Sequence, residues 1–344
     1  MSQRRTSAEP SRPDVERLDD RIVPNATPTQ IMAVGTDPGN TAEVRVFDAA
    51  GSKTFDFTAY NGRGYIGGVR VATGDINGDG VADIITAPGP GMKSVIQVFD
   101  GVSGQKILSF NAYDPSFQGG AYVATGDVNG DGRMDIVVGA GDTGGSHVKV
   151  FDGAALFPAP GATVVPPGPN TNLIREFFAY DPKYLVGARV AVADVNGDGK
   201  ADIVTGAGGK GGAHVRVFSG DDGTIIREFF AYDAALASGV NVAAGDLDGD
   251  GKAEVVTGTG PRSGARVNVY DGRDGRLIRS FTQDDALPSG ASMRVGVLDT
   301  DHDGNNELVL GVLSELRYFN GKTYVRAGGL TPYDPGYIGG VNFG

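Results

Sequence analysis

A nine-residue acidic segment recurs five times, and its spacing constrains the fold more than any other feature of the chain. The copies read "DINGDGVAD" from 75, "DVNGDGRMD" from 127, "DVNGDGKAD" from 194, "DLDGDGKAE" from 246 and "DTDHDGNNE" from 299. Their first aspartates lie 52, 67, 52 and 53 residues apart. The long interval holds "AALFPAPGATVVPPGPNTN" (154–172), a Pro/Gly-rich insertion that accounts for 15 extra residues. Without it the repeat is about 52 residues throughout.

Each repeat has the same internal order. An alternating run such as "GGVRVATG" (67–74) leads into the acidic segment, and "ADIITAPG" (82–89) follows it. A glycine turn, "VIQVFDG", "SGQKILSF" and "NAYDPSFQGG" complete the unit. These runs have the two-residue or fully apolar periodicity of strands, Gly, Asp and Pro separate them, and no window sustains helical periodicity. Four short strands in about 50 residues, repeated, predict an all-β chain: a β-propeller with one four-stranded blade per unit.

The two ends of the repeat region complement each other. The chain finishes "YIGGVNFG", matching the first strand "YIGGVRVA" at 65–72, whereas residues 31–60 match the other three strands. Pairing of the N- and C-terminal strands in one blade gives six blades, and a different register at the ends would give seven. Closure of this kind hides edge strands. The expected organisation is a single propeller over 31–344 preceded by a disordered arm over 1–30, which is polar and lacks the apolar core of a signal peptide.

The acidic segments have the chemistry of cation loops. Oxygen ligands at positions 1, 3 and 5, a backbone carbonyl at 7 and an acid at 9 would surround a hard cation at about 2.3–2.6 Å. Gly at positions 4 and 6 permits the tight curl. The predicted sets are Asp75, Asn77, Asp79, the Val81 carbonyl and Asp83; Asp127, Asn129, Asp131, the Arg133 carbonyl and Asp135; and Asp194, Asn196, Asp198, the Lys200 carbonyl and Asp202. The fourth is Asp246, Asp248, Asp250, the Lys252 carbonyl and Glu254. The fifth is Asp299, Asp301, Asp303, the Asn305 carbonyl and Glu307, with His302 in place of the first Gly. Carboxylates so close repel without a counter-ion, so up to five Ca²⁺ are expected; a metal-free Asp/Gly turn is the alternative. The varied residues at position 7 imply that their side chains are not ligands.

The unit "GDxNGDGxxDIxxGxG…VxVFDGxxG" resembles the FG-GAP (VCBS-type) calcium propeller repeat of integrin α-subunits and many bacterial extracellular proteins, over residues 31–344. The resemblance implies structural Ca²⁺ in the hairpin between the first two strands of each blade. It leaves activity open, because such repeats occur in adhesins, lectins and appendages of enzymes. In the arm, "RLDDRIVP" is similar to a Leu-Glu-Asp-Arg-x-x-Pro element near the start of some exported bacterial proteins, with Asp19 for Glu.

Composition limits the partners. A net charge of −12 argues against nucleic acid or an anionic membrane, whereas divalent cations would offset it. There is no cysteine for disulfides or thiolate chemistry, and no apolar run long enough to span a membrane. The strand order puts the acidic loops and the 154–172 insertion on one face. On the other lie glycine-rich turns and "AYD" connections carrying Tyr60, Tyr113, Tyr180, Tyr232 and Tyr333, with Asp114, Asp181, Asp233 and Asp334. That ring would either hold a glycan or peptide, or pack and cap the blade junctions.

His147 and His214 are equivalent and are expected at exposed strand starts. "GAGDTG" and "GAGGKG" satisfy G-x-G-x-x-G, but strands follow them and not the helix that dinucleotide binding needs. No nucleophile or metalloprotease signature is present. The sequence therefore predicts a non-enzymatic, monomeric, extracellular or cell-surface bacterial scaffold, calcium-stabilised, that binds a glycan or protein partner for adhesion or recognition. The alternatives are a polysaccharide lyase or hydrolase, and a structural surface-layer component.

Overall fold

In each repeat the second strand is apolar along its length and must be covered on both faces, and neighbouring sheets provide that cover. The computed structural model describes residues 31–344 except 63, 160, 163, 234–235, 262, 283–292, 302, 335–336 and 338–339. The arm, its export-like element and His302 thus lie outside the described residues. The chain forms six antiparallel four-stranded sheets. Blades 1 to 5 begin with the strands Val69–Gly74, Ala121–Gly126, Ala188–Ala193, Val240–Gly245 and Arg294–Leu298. These first strands, joined by Val341–Phe343 of blade 6, contact one another in sequence around a central axis.

Burial follows strand position. The second strands Asp83–Pro88, Asp135–Ala140, Asp202–Ala207, Glu254–Thr259 and Glu307–Val312 are buried at every residue. Fully covered Ile84, Ile85, Ile136 and Ile203 each contribute about 1.5–3 kcal/mol by leaving water. The fourth strands form the rim and alternate between exposed and half-buried residues, as in Ile225–Phe230 and Leu277–Thr282. All six blades shift register at the end of the third strand, where Phe47, Phe99, Phe151, Phe218, Tyr270 and Phe319 stand. Five of these rings meet a Phe on the fourth strand of the preceding blade, as in Phe57–Phe99 at 4.1 Å and Phe177–Phe218 at 4.5 Å. The bulge turns the ring into the blade junction, where aromatic pairs are worth about 0.5–1.5 kcal/mol beyond their area.

Six blades, closed as the repeat pattern predicts, are present. Val341–Phe343 pairs antiparallel with Met32–Thr36, matching Val34 to Phe343 and Thr36 to Val341. Reciprocal bonds between Ala33 and Gly344, at 3.0 and 3.2 Å, and from Asp37 N–H to Gly340 at 3.0 Å extend the ladder. The 154–172 insertion joins the third and fourth strands of blade 2. It opens with a four-residue helix, Gly153–Leu156, that sequence periodicity does not reveal. Asp152 caps it, accepting from Ala155 N–H at 3.0 Å, and Leu156 packs into the core between blades 1 and 2.

Removing residues 341–344 leaves the Met32–Thr36 strand with an open edge on the axis. Thermal denaturation of the truncated chain should show a melting temperature lower by at least ~5 °C, as expected for a loss of several kcal/mol. An unchanged melting temperature contradicts this closure.

Candidate metal loops and the opposite face

The five acidic segments are hairpin loops between first and second strands, on one face of the ring. In the first loop Asp75 accepts the N–H groups of Gly78, Asp79 and Gly80 at 2.6, 3.1 and 2.9 Å. Asn77 and Asp79 each accept from the residue two positions on, at 2.8 and 2.9 Å. The second and third loops repeat this pattern around Asp127 and Asp194. Glycines 78 and 80 have φ of 80° and 86°, as the curl requires, and Gly304 in the fifth loop has 86°.

In the fourth and fifth loops the side chains of positions 1, 3 and 5 lie close together. Carboxylate oxygens of Asp246, Asp248 and Asp250 lie within 4.8 Å of one another, as do those of Asp299, Asp301 and Asp303. The fifth loop, which departs from the pattern in sequence, is thus assembled like the fourth. Asp299 Oδ1 is buried without a hydrogen-bond partner among the described residues. In the fourth loop Arg273 reaches Asp250 at 3.0 Å, so one carboxylate there has a cationic neighbour. The all-oxygen donor set fits a hard divalent cation of the calcium type.

The position-9 acids stand lower than the rim. Asp83, Asp135, Asp202, Glu254 and Glu307 are almost fully buried. Asp83 Oδ2 accepts from Ile76 and Asn77 N–H, both at 3.1 Å, and its Oδ1 accepts from Gly101 N–H at 3.2 Å. Asp135 and Asp202 likewise accept from Gly153 and Gly220, both at 3.0 Å. In these three blades the acid ties its loop to the turn after the third strand, whereas Glu254 accepts from Leu247 N–H and Glu307 from Thr300 N–H, both at 2.9 Å, within their own loops. Only glycine fits at that turn: a Cβ on Gly101 would lie 1.9 Å from the Ala82 carbonyl oxygen, and one on Gly153 would lie 2.0 Å from that of Met134. Burial pushes Asp83 up to about 6 and Asp135 and Glu254 up to about 7, against the backbone N–H bonds that favour the anion. Asp202 and Glu307 are raised by the same cause.

Position 7 has a use that spacing alone does not show. Arg133 of the second loop reaches back over the first, where a Cβ on Gly78 would lie 2.3 Å from its guanidinium, and it donates to the Ile76 carbonyl at 3.0 Å. Lys200 covers Gly130 and Lys252 covers Gly197 in the same way. Val81 belongs to the first loop, which has no acidic loop before it, and is apolar. Lys322 takes this role over Gly249 in place of Asn305. Further bonds chain the loops, with Ala201 N–H donating to Asp127 O and Ala253 N–H to Asp194 O, both at 2.8 Å. Where a sixth loop would stand, a cleft of about 500 Å³ opens between Asp299 and Asp75.

On the opposite face the tyrosine ring belongs to the blade junctions. Tyr60, Tyr113, Tyr180, Tyr232 and Tyr333 are buried. Each hydroxyl donates into the next blade; Tyr113 bonds the Val138 and His147 carbonyls at 2.8 Å, and Tyr333 those of Val34 and Glu43 at 3.0 and 3.1 Å. Asp114, Asp181, Asp233 and Asp334 are exposed. His147 and His214 are half-buried, not exposed as their place at strand starts suggests: they stack on Phe178 and Phe230 with ring centroids 4.7 Å apart. Strands follow both G-x-G-x-x-G segments, His147–Phe151 and His214–Phe218.

With this geometry in place, comparison with known proteins is informative. The FG-GAP repeat matches residues 67–104 and 119–151, and the FG-GAP-like repeat matches 194–257. The chain carries FG-GAP repeats. Among solved structures, the Dos1 propeller is similar with a TM-score of 0.47 and 12% identity over 85% of this chain. Rhamnogalacturonan lyase YesW is similar with a TM-score of 0.42 and 14% identity over 89% of this chain. This chain spans 65% and 56% of those two chains. None of its described helices is long and apolar enough to cross a membrane.

The buried acids set a pH dependence for the metal-free protein. Their folded-state values lie above the ordinary range near 4, so the folded state holds extra protons between about pH 4 and 7 and loses stability as pH rises through that window. His147 and His214, lowered by burial, oppose this with only two groups against five. Urea denaturation in EDTA should show stability falling from pH 4.5 to 7.5, less steeply in Asp135→Asn, with Ca²⁺ abolishing the fall. A rise across that window in EDTA contradicts the assignment.

Proposed function

We propose that the FG-GAP propeller is a calcium-stabilised, extracellular recognition scaffold, non-enzymatic and monomeric, that presents the face opposite its acidic loops to a glycan or protein partner. The observation that carries this reading is the convergence of aspartates in the fourth and fifth loops, with the buried Oδ1 of Asp299, which has no hydrogen-bond partner among the described residues. Positions 1, 3 and 5 would hold Ca²⁺ at each loop, with the position-7 carbonyl and the position-9 acid completing the set. Bound calcium supplies charge compensation. The chain's own residues do the rest: Asp75 and its equivalents organise the loop backbone, and Asp83, Asp135 and Asp202 join it to the neighbouring turn.

A cysteine-free protein has no disulfide staples, and millimolar extracellular Ca²⁺ would saturate weak sites and stabilise the fold by mass action. Partner recognition would then depend on calcium indirectly, through the rigidity of the ring. A glycan array and a pull-down from a bacterial cell envelope, run in Ca²⁺ and in EDTA, test this reading. Retention of a glycan or protein in Ca²⁺ and its loss in EDTA are expected. Retention undiminished by EDTA, with an unchanged melting temperature, contradicts it.

A further inference from the structure

One residue near the start of each first strand, five positions before the acidic loop where there is one, faces the central axis, and around the ring these residues are Arg70, Tyr122, Arg189, Asn241, Arg294 and Asn342. They line a cavity of about 90 Å³ at the end of the channel away from the acidic loops, below which a collar of valines narrows the axis. Arg70 and Arg189 are more than nine-tenths buried, whereas Tyr122, Arg294 and Asn342 keep some exposure. Arg70 lies over the Tyr122 ring, 3.9 Å from its centroid, and Arg189 approaches the same ring at 5.9 Å.

The repeat supplies an internal control for what these side chains do. Arg70 donates to the Ala121 carbonyl of the next blade at 3.0 Å. Asn241 makes the equivalent bond to Met293 at 2.7 Å, and Asn342 to Val69 at 3.2 Å. A neutral amide therefore staples neighbouring blades as well as a guanidinium does, and the fold does not require the three charges. The charges are also incompletely matched. Arg294 bonds Asp37 at 2.8 Å, and Asp142 lies close enough to act on Arg294 and Tyr122. Among the described residues around the cavity, three guanidinium groups against two carboxylates leave one positive charge over, in a chain of net charge −12. The Nε atoms of Arg189 and Arg294 are buried without a hydrogen-bond partner among the described residues. Burial alone would raise the Tyr122 phenol, yet the three arginines hold it below its usual value, which reports the local positive field.

We propose that this arginine ring is a binding site for a carboxylate carried by the partner. One uncompensated charge suits a monoanion better than a phosphate dianion, and the planar guanidinium forks match the planar carboxylate. Arg189 also borders a groove of about 420 Å³ that includes Lys210, Ser238 and Ser263 with Asp142, which leaves room for the polar body that bears the acid. An acidic sugar and an acidic peptide side chain share this chemistry. The inference rests on the reading that this face meets the partner.

Isothermal titration of the folded chain in Ca²⁺ with sodium glucuronate, N-acetylaspartate amide, phosphate and glucose tests it. At least one of the two carboxylates should bind and glucose should not; the tighter of the two names the source. Arg189→Gln should weaken that binding by about tenfold or more, the loss of one charge-assisted hydrogen bond. Asp142→Asn, which removes an opposing charge, should tighten it, and serves if Arg189→Gln fails to fold. Failure of both carboxylates to bind, tighter binding of phosphate, unchanged affinity in folded Arg189→Gln, or weaker affinity in Asp142→Asn overturns the proposal. If a neutral partner is captured from the array while glucuronate and N-acetylaspartate amide fail, the scaffold reading stands and this inference alone falls.

Discussion

A buried acid at the ninth position of each loop is the interaction on which the rest of this propeller depends. In the first three loops it joins the loop to the glycine turn after the third strand, so one carboxylate fixes two connections of its blade, whereas Glu254 and Glu307 bond within their own loops. Such a group is costly to bury as an anion and is held up near neutrality by its surroundings. The same burial that makes the tie strong makes it depend on the proton or on a cation. The exposed aspartates above it are organised by backbone N–H groups, and position-7 side chains fasten each of three loops to the one before. Calcium, on this account, is less an attachment to the blades than the partner that lets the acidic face exist at neutral pH.

Much of this was legible in the sequence because it is periodic. The 52-residue interval, the alternation of each run and the match between the chain's two ends lead to six blades and to the closing pair Met32–Thr36 and Val341–Phe343. The acidic positions were equally plain. What spacing hides is which side chains reach another blade. Arg133, Lys200 and Lys252 look like free choice at a non-ligand position until the loops are seen packed side by side. The tyrosines of the "AYD" connections admitted two readings, and their hydroxyls are spent on carbonyls of the next blade. The helix Gly153–Leu156 is too short to have a period.

The axial arginines were within reach of the sequence. Aligning the repeats puts Arg, Tyr, Arg, Asn, Arg and Asn at one register. Nothing in the linear pattern shows that these residues share one cavity. The ring does that, and it separates the two ends of the axis: acidic loops at one mouth, arginines at the other. The chain's negative charge is thus unevenly distributed.

The central claim is that cation binding by the loops underlies the stability of the ring, and the amount of metal bound tests it most directly. Equilibrium dialysis of the folded chain against calcium at millimolar concentration, with the bound metal quantified by atomic emission, should give five ions per chain. It should fall to four when Asp246, Asp248 and Asp250 are replaced by Asn. A folded chain that binds no calcium under these conditions would contradict the account.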